Sequence, residues 1–415
     1  MPELLRALES RNFRLFFIGQ GVSLVGTWMQ QLAAAWLVYR LSGSPLLLGV
    51  TGFASQIPIL FLAPFGGLLA DRLDRRKTLL VSQALAAAQA LLLAGLTFSG
   101  RVEVWHVIAA AACLGVINAF DVPLRQAFLL EMVGSRELLP NAIALNSFLM
   151  NGSRLIGPPL AGLLLALFGE GWCFLANAAS YGAIIGGLAV MHVPPRARPA
   201  AASRWRAELR EAVDFAAHYL PCRTLLTLVA SLSLLANPYS SLLPVFARDL
   251  LGGDARTLGW LNGAASVGAV AGVVFLATRR GIHRLERVTA LSAVTAGAGL
   301  IAFALSRTPT LSLALLPLVG FGILLTTASA NTILQTVVPD RLRGRIVSFH
   351  VAAFLGMAPV GHFALGLIAE HFGAPAALIA SGTGCLAAAT WFASRLPAMR
   401  QALATHPAVA AGPPA

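Results

Sequence analysis

Long apolar stretches alternate with short polar ones along the whole chain. A helix needs about 20 mostly apolar residues to cross a bilayer. Twelve stretches qualify: 13–39, 46–70, 78–99, 104–130, 140–168, 172–192, 222–246, 257–278, 287–306, 309–337, 346–369 and 374–395. They predict an all-α protein with twelve membrane-spanning helices. Gly and Pro punctuate many of them, which in a membrane permits close packing and kinks. The longest polar interval, about 192–221, opens with the Pro/Ala run "HVPPRARPAAAS". An amphipathic helix is predicted after it. Ser203 is its candidate cap, and Trp205, Leu209, Val213, Ala216 and Leu220 form one apolar stripe. Such a helix belongs at the membrane surface.

Six spans precede this interval and six follow it. The predicted organisation is a six-helix bundle over 1–191, a linker over 192–221, a second six-helix bundle over 222–396 and a disordered tail over 397–415. The halves echo each other. Gly162 and Gly169 match Gly366 and Gly373 at one offset of 204, and a basic loop precedes each of those spans.

Composition agrees with this pattern. The chain is 57% hydrophobic and 11% charged, whereas a soluble domain carries about 25% charged residues. The net charge of +13 sits in short clusters between apolar runs. That distribution fits anchoring at the cytoplasmic leaflet and not nucleic acid. With the N-terminus cytoplasmic, 24 basic residues fall on the inner side and five on the outer (Arg40, Arg101, Arg248, Arg256, Arg307), with Arg154 inside a span. Both termini are therefore expected in the cytoplasm, with the chain multi-pass in the plasma membrane. The four cysteines stand alone in apolar segments, and no metal or cofactor spacing appears. No phosphate-binding Gly-Lys loop, nucleophile elbow or metal-binding His pair is found, so neither an ATP-driven pump nor an enzyme is expected.

The charged stretch after span 2 reads Gly67-Leu-Leu-Ala-Asp71-Arg-Leu-Asp74-Arg75-Arg76. It is similar to the G-x-x-x-D-x-x-G-R-[RK] signature of the major facilitator superfamily, with Asp74 where that signature has glycine. "GPPLAG" (157–162), with Gly157, Pro158 and Gly162, resembles the helix-packing Gly/Pro motif of the superfamily's exporters. "AFDVPLRQAFLLEMV" (119–133) and "VPDRLRGRIVSF" (338–349) resemble its transmembrane secretion effector branch, which includes enterobactin exporter-like proteins. The resemblance implies two six-helix bundles and alternating access. It implies export of small siderophore-like or drug-like molecules, proton coupling and a monomer. Two rival readings remain: a metabolite importer of the same fold, and a membrane sensor or scaffold without transport.

The resemblance also assigns roles. Gly67, Asp71, Arg75, Arg76 and Asp121 would form a conformational latch. Asp71 would cap the start of span 11, whose free N–H groups attract a carboxylate by about 0.3–1 kcal/mol. Arg75 would pair with Asp121. The alternative is that these basic residues only set topology. Spans 1, 4, 7 and 10 would line a cavity through Gln30, Gln31, Asn118, Asn237, Asn331 and Gln335, each of which has helix–helix hydrogen bonding as its plainer role. Arg154 would meet an anionic substrate, or pair with Asp121 or a backbone carbonyl. Asp121 and His362 are the coupling candidates, and His106 could also titrate near neutral pH.

Overall fold

The computed structural model describes residues 3–192, 205–279 and 284–404, without the side chains of 3–4, 64, 67–72, 205–208 and 403–404. Among these residues every regular element is helical. A 3-10 turn, Glu3–Glu9, leads into α1 (Arg11–Ser42), α2 (Pro45–Arg72), α3 (Arg75–Phe98), α4 (Val104–Val133), α5 (Leu139–Phe168) and α6 (Glu170–Val190). A short helix follows, α7 (Trp205–His218), and then α8 (Leu220–Leu235), α9 (Tyr239–Val245) and a π-turn, Phe246–Leu250. The chain finishes with α10 (Ala255–Ala277), α11 (Leu285–Leu305), α12 (Pro309–Val337), α13 (Asp340–Phe372) and α14 (Ala374–Ala404). By length and composition, ten helical segments among the described residues can cross a membrane, with Leu220–Leu250 counting as one. The long helices α1 and α5 are outside that set; each carries several Gln, Asn or Ser side chains.

Local chemistry explains the boundaries. Asp74, at the position where the superfamily signature has glycine, has φ −68° and caps α3 by accepting from the Lys77 N–H at 3.1 Å. A cap in this ordinary conformation needs no glycine. Gly43 and Gly134, at φ 63° and 74°, end α1 and α4 in the left-handed region. Span 7 is not the single helix expected over 222–246. It breaks between Leu235 and Tyr239 because Pro238 has no N–H to donate. The Tyr239 N–H turns to the Ala236 carbonyl, and the Leu235 carbonyl it would have served accepts from the Ser381 hydroxyl at 2.7 Å.

The chain packs as two units. In the first, α1 lies against α5 and α6, α3 against α4 and α6, and α2 against α4. Phe13, Phe16, Leu79, Leu124, Phe128, Met132 and Ile184 form its core. Large apolar side chains such as Leu92, Phe148 and Leu167 also cover its outside, as lipid contact requires. This unit includes Pro244–Gly263, which lies beyond the midpoint of the sequence. A Cβ on Gly162 would meet the Ala255 carbonyl oxygen at 2.7 Å and the Gly259 Cα at 3.0 Å, so α5 and α10 touch backbone to backbone.

In the second unit α8 packs on α13 and α14, and α11 on α12 and α14. One expectation is corrected here. The segment 397–404, expected in a disordered tail, continues α14: Met399 is fully buried and Arg400 Nε lies 2.9 Å from Glu286. An apolar anchor and an ion pair hold those last turns. Residues 405–415 lie outside the described residues. On α7, Leu209 and Val213 of the predicted apolar stripe are exposed, and Ala212 is the residue buried on the inner face. Glu211 of α7 bonds Arg341 at the start of α13.

Candidate functional site

The first unit buries a carboxylate. Asp121 stands midway along α4, 2% exposed. Its Oδ1 accepts from the Ser82 hydroxyl and from Gln83 Nε2, both at 2.7 Å, and its Oδ2 lies 3.3 Å from Arg125, one turn on. An ionised group in an apolar helix bundle is costly unless paired and hydrogen-bonded, and Asp121 is both. The groups on α3 lie outside the cavity set expected from spans 1, 4, 7 and 10.

Arg75 does not meet Asp121. Its Nη1 donates to the Glu131 carboxylate at 2.6 Å and to the Ala127 carbonyl at 3.0 Å. The reason is register. Arg75 opens α3 and therefore faces the far end of its antiparallel neighbour α4. Asp121 lies ten residues back, about 15 Å of helix rise. Arg76 donates to the Leu188 and Ala189 carbonyls at 2.7 and 2.6 Å and so closes the C-terminal end of α6. The Asp71 side chain and the surroundings of Gly67 are outside what the structure describes.

Gln30 is 4% exposed inside the bundle. Its Nε2 donates to Gln89 on α3 at 3.0 Å, and its Oε1 accepts from Asn177 on α6 at 2.7 Å. Gly26 makes this possible, because a Cβ there would collide with Asn177 Oδ1 and Ser180 Oγ at 2.6 and 2.4 Å. Gln31 is exposed and Asn118 half-buried. The Arg154 guanidinium lies over the Trp28 ring, 5.5 Å from its centroid, and Gly157 admits the same Trp28 against α5. His106 accepts from the Glu103 N–H and caps α4, so it serves a helix end.

A second polar cluster sits at the other end of α1. Tyr39 bonds Asp249 on the π-turn, Arg248 lies over the Tyr39 ring at 5.8 Å, and Arg40 pairs with Glu170 at 2.6 Å. Trp36, Tyr39, Arg40, Arg248, Gly253 and Asp254 line a cavity of about 300 Å³ there. None of these residues was among the sequence candidates. The second unit places Asn237 half-buried at the break between α8 and α9, with Gln335 exposed on α12. Asn331 keeps a buried Oδ1 with no partner among the described residues. His362 is buried and its Nδ1 lies 2.5 Å from the Ser241 hydroxyl.

A profile of the family described as transmembrane secretion effector matches residues 4–412. The chain is 24% identical to the staphyloferrin A transporter of Staphylococcus aureus, over 87% of this chain and 90% of that protein. It is 26% identical to the multidrug efflux pump Tap of Mycolicibacterium fortuitum, over 87% and 88%. Among solved structures, a bacterial homologue of the human lysosomal transporter Spinster superposes with a TM-score of 0.76 at 13% identity, covering 95% of this chain and 98% of that one. A transporter of the POT family superposes at 0.74 and 10% identity, covering 94% and 96%. These superpositions show the fold.

Proposed function

The chain belongs to the transmembrane secretion effector family of the major facilitator superfamily, and from that premise we propose that it exports small organic molecules across the plasma membrane by proton-coupled alternating access. It is a multi-pass membrane transporter. In this reading α1 and α5 also span the bilayer. That makes twelve spans in two six-helix bundles, with both termini in the cytoplasm. The observation that carries the coupling is Asp121, buried in a membrane helix and held by Arg125, Ser82 and Gln83. Outside protons neutralise this carboxylate and release Arg125 from it; inside, the proton leaves and the pair re-forms. That cycle offers two states of differing local charge, as a coupled conformational change requires. Outward direction is supported by relatives named as a multidrug efflux pump and a macrolide efflux protein and by the Gly162–Gly259 backbone contact of the Gly/Pro motif.

Arg154 over Trp28 pairs a cation with an aromatic face on α5 and α1, and suits an amphipathic or anionic aromatic substrate. The Asp71 latch remains part of the proposal, with Arg75 anchored on Glu131. Inverted membrane vesicles would test the function. Uptake of ethidium, tetracycline, erythromycin or a catecholate siderophore is measured under an imposed pH gradient. Proton-driven uptake of at least one compound is expected, lost in Asp121→Asn. Uptake that ignores the gradient would remove the coupling, and uptake only in right-side-out vesicles would make the chain an importer.

A further inference from the structure

Asp121 does not stand alone in the first unit. One face of α1 carries Gln20, Ser23, Thr27 and Gln30 at three- and four-residue spacing, and Gln20, Ser23 and Gln30 are buried. The face opposite on α6 carries Asn177, Ser180 and Tyr181, and α3 contributes Ser82, Gln83 and Gln89. The Tyr181 hydroxyl faces Thr27 and Asn177 and lies within electrostatic range of Asp121 and Arg125. These residues form a continuous polar seam through the bundle, from Asp121 to the Gln30–Gln89–Asn177 chain. Gln83 and Gln89 lie six residues or about 9 Å apart along α3, and Ala86 is the buried residue between them.

Three buried atoms of the seam have no hydrogen-bond partner among the described residues: Gln20 Oε1, Gln83 Oε1 and Gln89 Nε2. A buried amide without a partner gives up its hydration and gains no hydrogen bond in return, and three such atoms share this one seam. Water is the small molecule that satisfies both donors and acceptors, and it needs two to four polar partners. We propose that this seam holds ordered water and is the route by which a proton reaches and leaves Asp121. The inference rests on the coupling role of Asp121. In each step a seam water breaks an O–H bond and donates its proton to the Asp121 carboxylate, and the next water along the seam replaces that proton. The Tyr181 hydroxyl stands between the two ends and passes a proton by giving one and taking one. Gln83, Gln89 and Asn177 are positioning residues that hold the waters.

The charged and titratable groups around Asp121 are few. Arg125 is on its own helix and Tyr181 on α6. The buried part of α3 facing it offers Ser82 and Gln83, and Thr27 of α1 meets the Tyr181 hydroxyl. Segment 45–63 of α2 has no charged residue. On α5, Arg154 stacks on Trp28.

The test needs no substrate. The full-length protein in lipid nanodiscs is subjected to a pH jump, and the carboxylic acid infrared band is followed in time. Asp121→Asn identifies the band. Gln89→Leu and Asn177→Leu are expected to slow its rise at least tenfold, and Gln89→Ser, which leaves room for water and a hydroxyl, to restore most of the rate. Radiolytic hydroxyl labelling of the folded wild-type protein gives an independent reading: Tyr181, although buried, is expected to label as bound water would require. If Asp121→Asn removes no band, the coupling role fails. If the band is there but both leucine variants protonate at the wild-type rate, the seam is wrong and the coupling role stands. Absence of Tyr181 labelling likewise overturns the seam.

Discussion

The partner of Arg75 can be decided by a double-mutant cycle. Arg75 Nη1 and Glu131 Oε1 are 2.6 Å apart, and the two side chains are only 10% and 16% exposed. Two unit charges about 4 Å apart attract by roughly 4 kcal/mol at an effective dielectric constant of about 20. Desolvation of both groups offsets much of this, leaving a coupling of about 1–3 kcal/mol. Arg75→Ala also deprives the Ala127 carbonyl of its donor, so the single variant loses more than the coupling alone. The variants are Arg75→Ala, Glu131→Ala and both together, unfolded reversibly by SDS in mixed micelles. A parallel cycle uses Arg75→Ala with Asp121→Ala. Sites more than about 7–10 Å apart add within about 0.5 kcal/mol, and ten residues of α4 separate Asp121 from Glu131. The first cycle should therefore show coupling and the second should not. Coupling to Asp121 equal to or above that to Glu131 would refute the α3–α4 register.

Three further outcomes follow from the packing. Gly162→Val puts a branched side chain where even a Cβ lies 2.7 Å from the Ala255 carbonyl oxygen. It should cost about 1–3 kcal/mol, read as a lower melting temperature in detergent, whereas Gly182→Ala, with open space around it, should not. Arg400→Ala leaves Glu286, 5% exposed, without the guanidinium beside it. A destabilisation of about 1–3 kcal/mol is expected, and Glu286→Gln in the same chain should recover part of it. Arg76→Ala removes both donors from the last carbonyls of α6. Amide exchange near the C-terminal end of α6 should quicken severalfold, with the centre of that helix unchanged.

How much of this was legible in sequence varies by element. The observed ends of α2, α3, α4, α5, α10, α11 and α12 lie within about three residues of the apolar runs, because a membrane helix is written into composition over its whole length. The break in span 7 was signalled by Pro238 and was still missed, since proline is common in membrane helices that do not break. Gln89 and Asn177 lie in spans 3 and 6, outside the set of helices assigned to a cavity. Their polarity in an apolar run was the available signal, because a buried amide must find a partner.

The sequence by itself determined which segments enter the bilayer, where they are capped and which residues are too polar to face lipid. Those are properties of a single helix: its hydropathy, its cap residues and its prolines. Pairing was decided by tertiary structure alone. Arg75 met Glu131 and not Asp121, Gln30 turned into the bundle, and Gly162 met Gly259 across nearly a hundred residues. Helix register and rotation fix these contacts. They depend on many weak packing terms summed over several helices, which no local stretch of sequence encodes.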